Sequence, residues 1–252
     1  MKPQLTFVLL EDFVTPDMQA VAEAIRSRHP GTLVTLPEPG GASSPIIVCA
    51  GEIVVVMSMP APAPKDDAAV AMASAAWPEA GAVFDHHRAH LIVSNMSKRE
   101  HPLQLARVAT AVIGGLIAAV PGCVGVLWGG RVAHPAERWL EMSRDAFNPY
   151  PDFPFMLWIG INRFRDQSTI GAFTYGLSSF VGREIEFESN GMDSASILTK
   201  VAGLAAYLIE RGSVIPDGNT IGADETERIK VRHATSRRFA NMPILLVSSS
   251  AK

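Results

Sequence analysis

The chain has 252 residues, 48% of them hydrophobic, with a formal net charge of -3. That length buries a substantial core as one large domain or two small ones, so stability does not demand oligomerisation. The slightly acidic balance lacks the overall basic footprint of a nucleic-acid binder, and Cys49 and Cys123 adjoin apolar runs, which argues against a disulfide framework and for reduced, buried thiols.

The first apolar run, Leu5 to Leu10, reads as a strand; Glu11-Asp12 interrupts it too early for a secretory signal, which points to the cytoplasm. Met18, Val21, Ala22 and Ile25 recur at helical spacing over Pro16 to Arg28, with Thr15 as N-cap and Pro16 as first helical residue. Strand-like runs follow at Thr32 to Leu36, Ile46 to Cys49 and Ile53 to Met59, with Ala50-Gly51-Glu52 as a hairpin turn. Met57 to Pro64 reads as a stiff extended crossover into an alanine-rich helix opened by Asp66-Asp67. Leu91 to Ser94 and Val124 to Leu127 are further strands. Between them, Leu105 to Val120 is apolar on nearly every side. It is shorter than the roughly 20 residues of a membrane span, and Gly114-Gly115 interrupts it, so a buried helix opened by His101-Pro102 is expected and no membrane partner. A bare second side would make this helix a homodimer surface. His134-Pro135 opens another helix reaching Phe147.

The prolines of Asn148-Pro149-Tyr150-Pro151 mark a boundary, giving an N-terminal part over 1–150 and a C-terminal part over 151–252, packed as one compact unit. Phe155 to Arg165 and Thr169 to Leu177 read as antiparallel strands joined by Asp166-Gln167-Ser168. Glu184-Ile185-Glu186-Phe187-Glu188 alternates so cleanly that its carboxylates are expected in water, with Arg163 and Arg165 as partners. Ile197, Leu198, Val201, Leu204, Ala205, Leu208 and Ile209 form the stripe of a long helix that Asp193 or Ser194 caps and Gly212 stops. Ile244 to Val247 is the last strand. The fold class is α+β: two α/β-layered parts with mixed, largely antiparallel sheets covered by helices, compatible with ferredoxin-like halves.

Three passages carry candidate binding residues. In Asp85-His86-His87-Arg88-Ala89-His90, His86 and His90 are spaced for one helix face and imidazoles suit zinc or iron. The apolar run from Leu91 ends that helix, however, so these are equally junction histidines that cap it, and no stoichiometric metal is expected. Trp128-Gly129-Gly130-Arg131-Val132-Ala133-His134 lies between a strand and a helix, where backbone amides meet anions. A ligand would touch Trp128, Arg131 and His134; otherwise the glycines make a tight turn and Trp128 packs in the core. The third passage runs from Asp217 to His233, with Gly218 and Gly222 at turns that favour positive φ, and Asp217, Thr220, Arg232 and His233 as its polar groups. No G-x-S-x-G, phosphate loop or G-x-G-x-x-G occurs, so no catalytic residue and no cofactor is assigned.

Asp217-Gly218, Thr220-Ile221-Gly222 and Ile229-Lys230-Val231-Arg232-His233-Ala234, behind the long apolar helix, resemble the bacterial family labelled domain of unknown function 4261. Met59-Pro60-Ala61-Pro62, Trp77-Pro78-Glu79-Ala80, His87-Arg88-Ala89-His90-Leu91-Ile92-Val93 and Leu127-Trp128-Gly129 extend that resemblance over most of the chain. The family implies no catalytic role. Three functions stay open: a non-catalytic interaction protein of accessory or immunity type acting on a protein partner, a small-molecule or metal-dependent enzyme such as a hydrolase, and a sensor domain for a small ligand.

Overall fold

The computed structural model describes residues 5–37, 45–96, 101–166, 169–222, 227–239 and 241–249. They form two compact units, Met1–Trp158 and Ile159–Lys252.

The first unit contains β1 (Leu5–Leu10), α1 (Met18–Arg28), β2 (Val34–Thr35), β3 (Ile46–Cys49), β4 (Glu52–Met59), α2 (Asp67–Ala73), α3 (Ala80–His86), β5 (Ala89–Asn95), α4 (Pro102–Ala119), β6 (Cys123–Trp128), β7 (Val132–Pro135) and α5 (Ala136–Met142). Its sheet runs β2-β3-β4-β5-β1-β6-β7, antiparallel throughout. Within it, β1-α1-β4-β5-α4-β6 in the spatial order β4-β5-β1-β6 is the ferredoxin-like arrangement, widened by β2-β3 at one edge and β7 at the other. Val8, Leu9 and Leu10 are all fully buried, so both faces of the sheet are covered. Leu9 packs with Val70, Trp77 and Phe84 of the α2-α3 side. By alternation Val8 and Leu10 point to the other face, which α1 and α4 cover while packing on each other.

Asp17, not Thr15, caps α1, its carboxylate accepting from the Gln19 N–H at 2.9 Å. Pro16 therefore precedes the helix rather than opening it. Ala50 and Gly51 take positive φ (50° and 80°), the twist a two-residue hairpin needs. Gly114-Gly115 does not interrupt α4. A Cβ at Gly115 would overlap Ile25 of α1, and one at Gly114 would overlap Ser143; the glycines allow close approach. By length and composition α4 is apolar enough to cross a membrane, yet Ala106 and every residue from Val108 to Leu116 are buried within the protein.

The second unit contains β8 (Gly160–Asp166), β9 (Thr169–Tyr175), α6 (Ser178–Val181), β10 (Glu184–Ser189), α7 (Ser194–Arg211), β11 (Thr220–Ile221), β12 (Ile229–Thr235) and β13 (Pro243–Ser249). The sheet order is β11-β12-β13-β10-β9-β8, with β10 and β13 parallel and the other pairs antiparallel. Two meanders flanking one helix are not a ferredoxin-like half, so that expectation holds for the first unit only. Asp193 caps α7 and Gly212 stops it in the left-handed conformation. Phe155–Leu157 is a 3-10 turn, which delays the strand to Gly160. Gln167 and Ser168 of the expected turn lie outside the described residues.

β10 departs furthest from its sequence pattern. Glu184 and Glu186 are 1% and 3% exposed, nearly as buried as Ile185 and Phe187, because Thr174 and the 176–178 turn enclose the one carboxylate and Ser236 the other. The Glu184 carboxylate accepts from the Thr174 hydroxyl (2.7 Å) and from the N–H groups of Gly176 (2.9 Å), Leu177 (3.1 Å) and Ser178 (3.0 Å). Glu186 accepts from the Ser236 hydroxyl. Arg163 and Arg165 are exposed on β8, which pairs with β9 instead. The cation beside Glu188 is Arg238, at 3.7 Å.

Candidate functional site

The histidine passage of the first unit is drawn into the fold. His87 is buried and ends α3. Its Nε2 accepts from the Ala63 N–H at 2.7 Å and its Nδ1–H donates to the Phe84 carbonyl at 3.0 Å, so both ring nitrogens are engaged. His90 on β5 is also buried; its Nδ1–H donates to the Ala61 carbonyl at 2.7 Å and its ring meets Phe7 edge-on at 5.5 Å. The two side chains bracket the extended Pro60 to Pro64 crossover. His86 donates to its own helix at the Ala82 carbonyl. Among the described residues no three histidine, cysteine, aspartate or glutamate side chains are grouped to hold a metal ion.

Trp128, Arg131 and His134 do not converge on a helix N-terminus. Gly129 and Gly130, both at positive φ, turn the chain from β6 into β7 as a hairpin, and His134-Pro135 ends β7 and leads directly into α5, whose N-cap is Pro135 and which gives way to a 3-10 turn after Met142. Trp128 is 3% exposed, against Trp139 (5.7 Å) and Trp158 (6.4 Å), whereas Arg131 is exposed. Burial, with the Arg138 charge second, pushes the His134 imidazole down to about 4. His29 is likewise pushed to about 4 by burial and then by Arg28 and Arg144, and burial lowers His90.

A histidine with a lowered folded pKa binds fewer protons folded than unfolded, so its contribution is present above about 6.5 and is lost as pH falls toward 4. Between those limits the deeply buried His134 changes stability by up to about 1.4 kcal/mol per pH unit. Urea titrations between pH 7 and pH 5 are expected to show falling stability, with a shallower slope in His134→Gln. Equal slopes would place the imidazole in water. The thiols of Cys49 and Cys123 are pushed up to about 12 by burial, which makes them poor nucleophiles.

The described residues of the third passage, 217–222 and 227–233, border a groove in the second unit; residues 223–226 lie outside the described residues. Asp217 accepts from the His233 N–H (2.7 Å), and the His233 Nε2–H donates to the Ile215 carbonyl (2.8 Å). Gly218 has φ +81°, with open space where a Cβ would stand, while Gly222 is required for another reason: a Cβ there would overlap the Glu227 carbonyl. Replacing Gly218 by Val is therefore expected to cost about 1–3 kcal/mol through backbone strain alone. Arg232 is exposed and alternates with the buried Val231. Arg232→Ala is thus expected to move stability by less than about 0.5 kcal/mol, and His233→Ala, which removes a buried-side hydrogen bond, by about 1 kcal/mol. Equal effects in a denaturant titration would contradict this separation.

The groove itself has a volume of about 1020 Å³. One wall is α7, where Thr199, Gly203, Tyr207 and Arg211 follow at every fourth position and Lys200 and Leu204 stand beside them. The other wall is Val214 to Pro216 with β11, and Glu227 and Ile229 close the floor. Lys200 and Glu227 form an ion pair at 2.8 Å, and the Arg211 guanidinium lies over the Tyr207 ring at 5.5 Å. The Thr199 hydroxyl donates to the Ala195 carbonyl (3.0 Å). Of the residues singled out from sequence, Thr220 lines the groove, Asp217 and His233 shape its rim, and Arg232 points to the other sheet face. Tyr207, Lys200 and Arg211 were not singled out; the signal was an aromatic at 40% exposure on the polar side of α7, one turn from the Cβ-less Gly203.

These features define an α+β protein with a groove formed by a helix and a sheet edge. Residues 173–241 match a family described as Domain of unknown function (DUF4261). The match covers about a quarter of the chain rather than most of it, and every groove-lining residue falls within it. No curated protein and no solved structure matches the chain.

Proposed function

We propose that the protein is a non-catalytic interaction protein of the cytoplasm, an accessory or immunity-type partner that engages another protein through the groove beside α7. The observation that carries the reading is the groove's composition. Apolar Leu204, Val214, Ile215 and Ile229 and the half-exposed Tyr207 are bordered by a salt bridge and an arginine, a mixture suited to recognition, since aromatic and arginine side chains dominate protein interfaces. The volume also fits ligand clefts, and among the described residues the Thr199 hydroxyl in the wall donates to the Ala195 carbonyl rather than to a base. His87, His90, His233, Glu184 and Glu186 hold the fold's own backbone and hydroxyl groups, and the Glu227 carboxylate in the groove is paired with Lys200.

The reading is tested by affinity capture with the full chain and with Tyr207→Ala, followed by reconstitution with the purified partner. A partner whose affinity drops about tenfold or more in Tyr207→Ala, corresponding to about 1.4 kcal/mol, is the expected result. A partner held equally by both chains would place the binding surface elsewhere. A small molecule consumed by the wild-type chain and not by Tyr207→Ala would make the groove an active site.

A further inference from the structure

The strand wall of the groove is a sheet edge. Among the described residues β11 is the outermost strand and pairs with β12 alone. The Val231 N–H donates to the Asn219 carbonyl at 2.8 Å, so Asn219 directs its backbone inward toward β12. In an antiparallel ladder inward and outward residues alternate. Ile221, opposite Ile229, is therefore inward, and the N–H and carbonyl of Thr220 point away from β12, on the side where Thr220 borders the groove.

Charge is divided between the two sheet faces at this edge. Ile221 and Ile229 lie on the groove face. Lys230 and Arg232 are exposed on the opposite face, across from the uncharged Ser248 and Leu246 of β13, beyond which Glu188 of β10 faces Arg238. A strand laid beside Thr220 would place alternate side chains on the two faces. One set would enter the groove against Leu204 and Tyr207; the other would lie on the same face as Lys230 and Arg232 of β12, one strand removed from them across Thr220.

We propose, resting on the binding role above, that the occupant of the groove is an extended peptide segment that adds as a strand to β11, its apolar residues alternating with acidic ones. Main-chain bonds to Thr220 supply the register, the α7 wall accepts the apolar side chains, and the acidic side chains answer Lys230 and Arg232. A second copy of this chain fits less well, because edge-to-edge pairing across β11 would extend the cationic row of one copy toward that of the other.

The test uses the full chain and fluorescence anisotropy with labelled peptides in which Val, Ile, Leu or Phe alternates with Glu. The best binder is then compared with its Glu-to-Lys counterpart and with versions N-methylated at every second residue in each of the two registers. Expected are a loss of about tenfold or more for the lysine peptide and a comparable loss in one methylation register only. Thr220→Pro, which removes an outward N–H while leaving the β12 pairing, should weaken binding likewise at an unchanged melting temperature. If that variant fails to fold, the methylated peptides decide alone. Peptides bound equally in both methylation registers would overturn strand addition while leaving a binding groove. Failure of every peptide, with a captured protein still dependent on Tyr207, would sink this inference and spare the binding role; loss of both would remove the two together. Self-association abolished by Thr220→Pro would give the edge to a second copy.

Discussion

Glu184→Ala is expected to destabilise the protein by about 3–5 kcal/mol. The carboxylate is 1% exposed and accepts four hydrogen bonds, three from consecutive backbone N–H groups at Gly176, Leu177 and Ser178 and one from Thr174. Truncation leaves those donors unmatched where β9 hands over to α6, and a buried unsatisfied donor costs about 1–3 kcal/mol before relaxation and water recover part of it. Thr174 also accepts from the Ile185 N–H at 2.8 Å, so the disturbance reaches the centre of the sheet. Glu184→Gln should cost less, since one amide oxygen still accepts while the amide N–H₂ faces donors. A guanidinium titration with a two-state fit measures both. A cost below about 1 kcal/mol for the alanine variant would mean that the 176–178 turn finds other acceptors and that Glu184 is dispensable to the fold.

The same strand shows why alternation misleads. Glu184-Ile185-Glu186-Phe187-Glu188 has the period of a strand with one wet face, and the period itself was correct. What decides the environment of the glutamates comes from outside the strand: Thr174 and the 176–178 turn enclose the Glu184 carboxylate, and Ser236, fifty residues beyond Glu186, donates its hydroxyl to that side chain. Period identifies a strand, but its position within the sheet is set by long-range pairing. A run of three carboxylates was thereby read as solvated when two of them are internal acceptors.

Local chemistry, by contrast, was legible. Asp66 and Asp193 cap their helices, Gly212 ends α7, and Ala50-Gly51 turns β3 into β4, each because the signal and its structural consequence lie within a few residues. The candidate site was legible only in part. His87 and His90 stood out by residue type, yet their partners Ala63 and Ala61 are 24 and 29 residues away, and those partners turn them into structural brackets. The Asp217 to His233 passage, marked for its turns and charges, contributes Asn219 to Gly222, Glu227 and Ile229 to the groove lining. The opposite wall was hidden in the polar side of α7, whose apolar stripe drew attention to the face that packs on the sheet.

Leu116→Ala is expected to cost about 2–5 kcal/mol, from lost transfer energy and a cavity that its surroundings cannot close. Leu116 is fully buried in α4, which packs on α1 and on strands β4 and β5. The neighbouring Gly115 already brings α1 so near that Ile25 occupies the place of a side chain, so α1 has little room to move inward. Leu204 of α7 offers the contrast: it is 8% exposed and lines the groove, where truncation leaves space open to solvent rather than a sealed void. Leu204→Ala should therefore cost less than Leu116→Ala while enlarging the groove and weakening whatever binds there. Denaturant titration of the two variants, followed by binding of the reconstituted partner, separates the effects. A larger stability loss at Leu204 than at Leu116 would mean that the α7 face is core and that the groove is closed in solution.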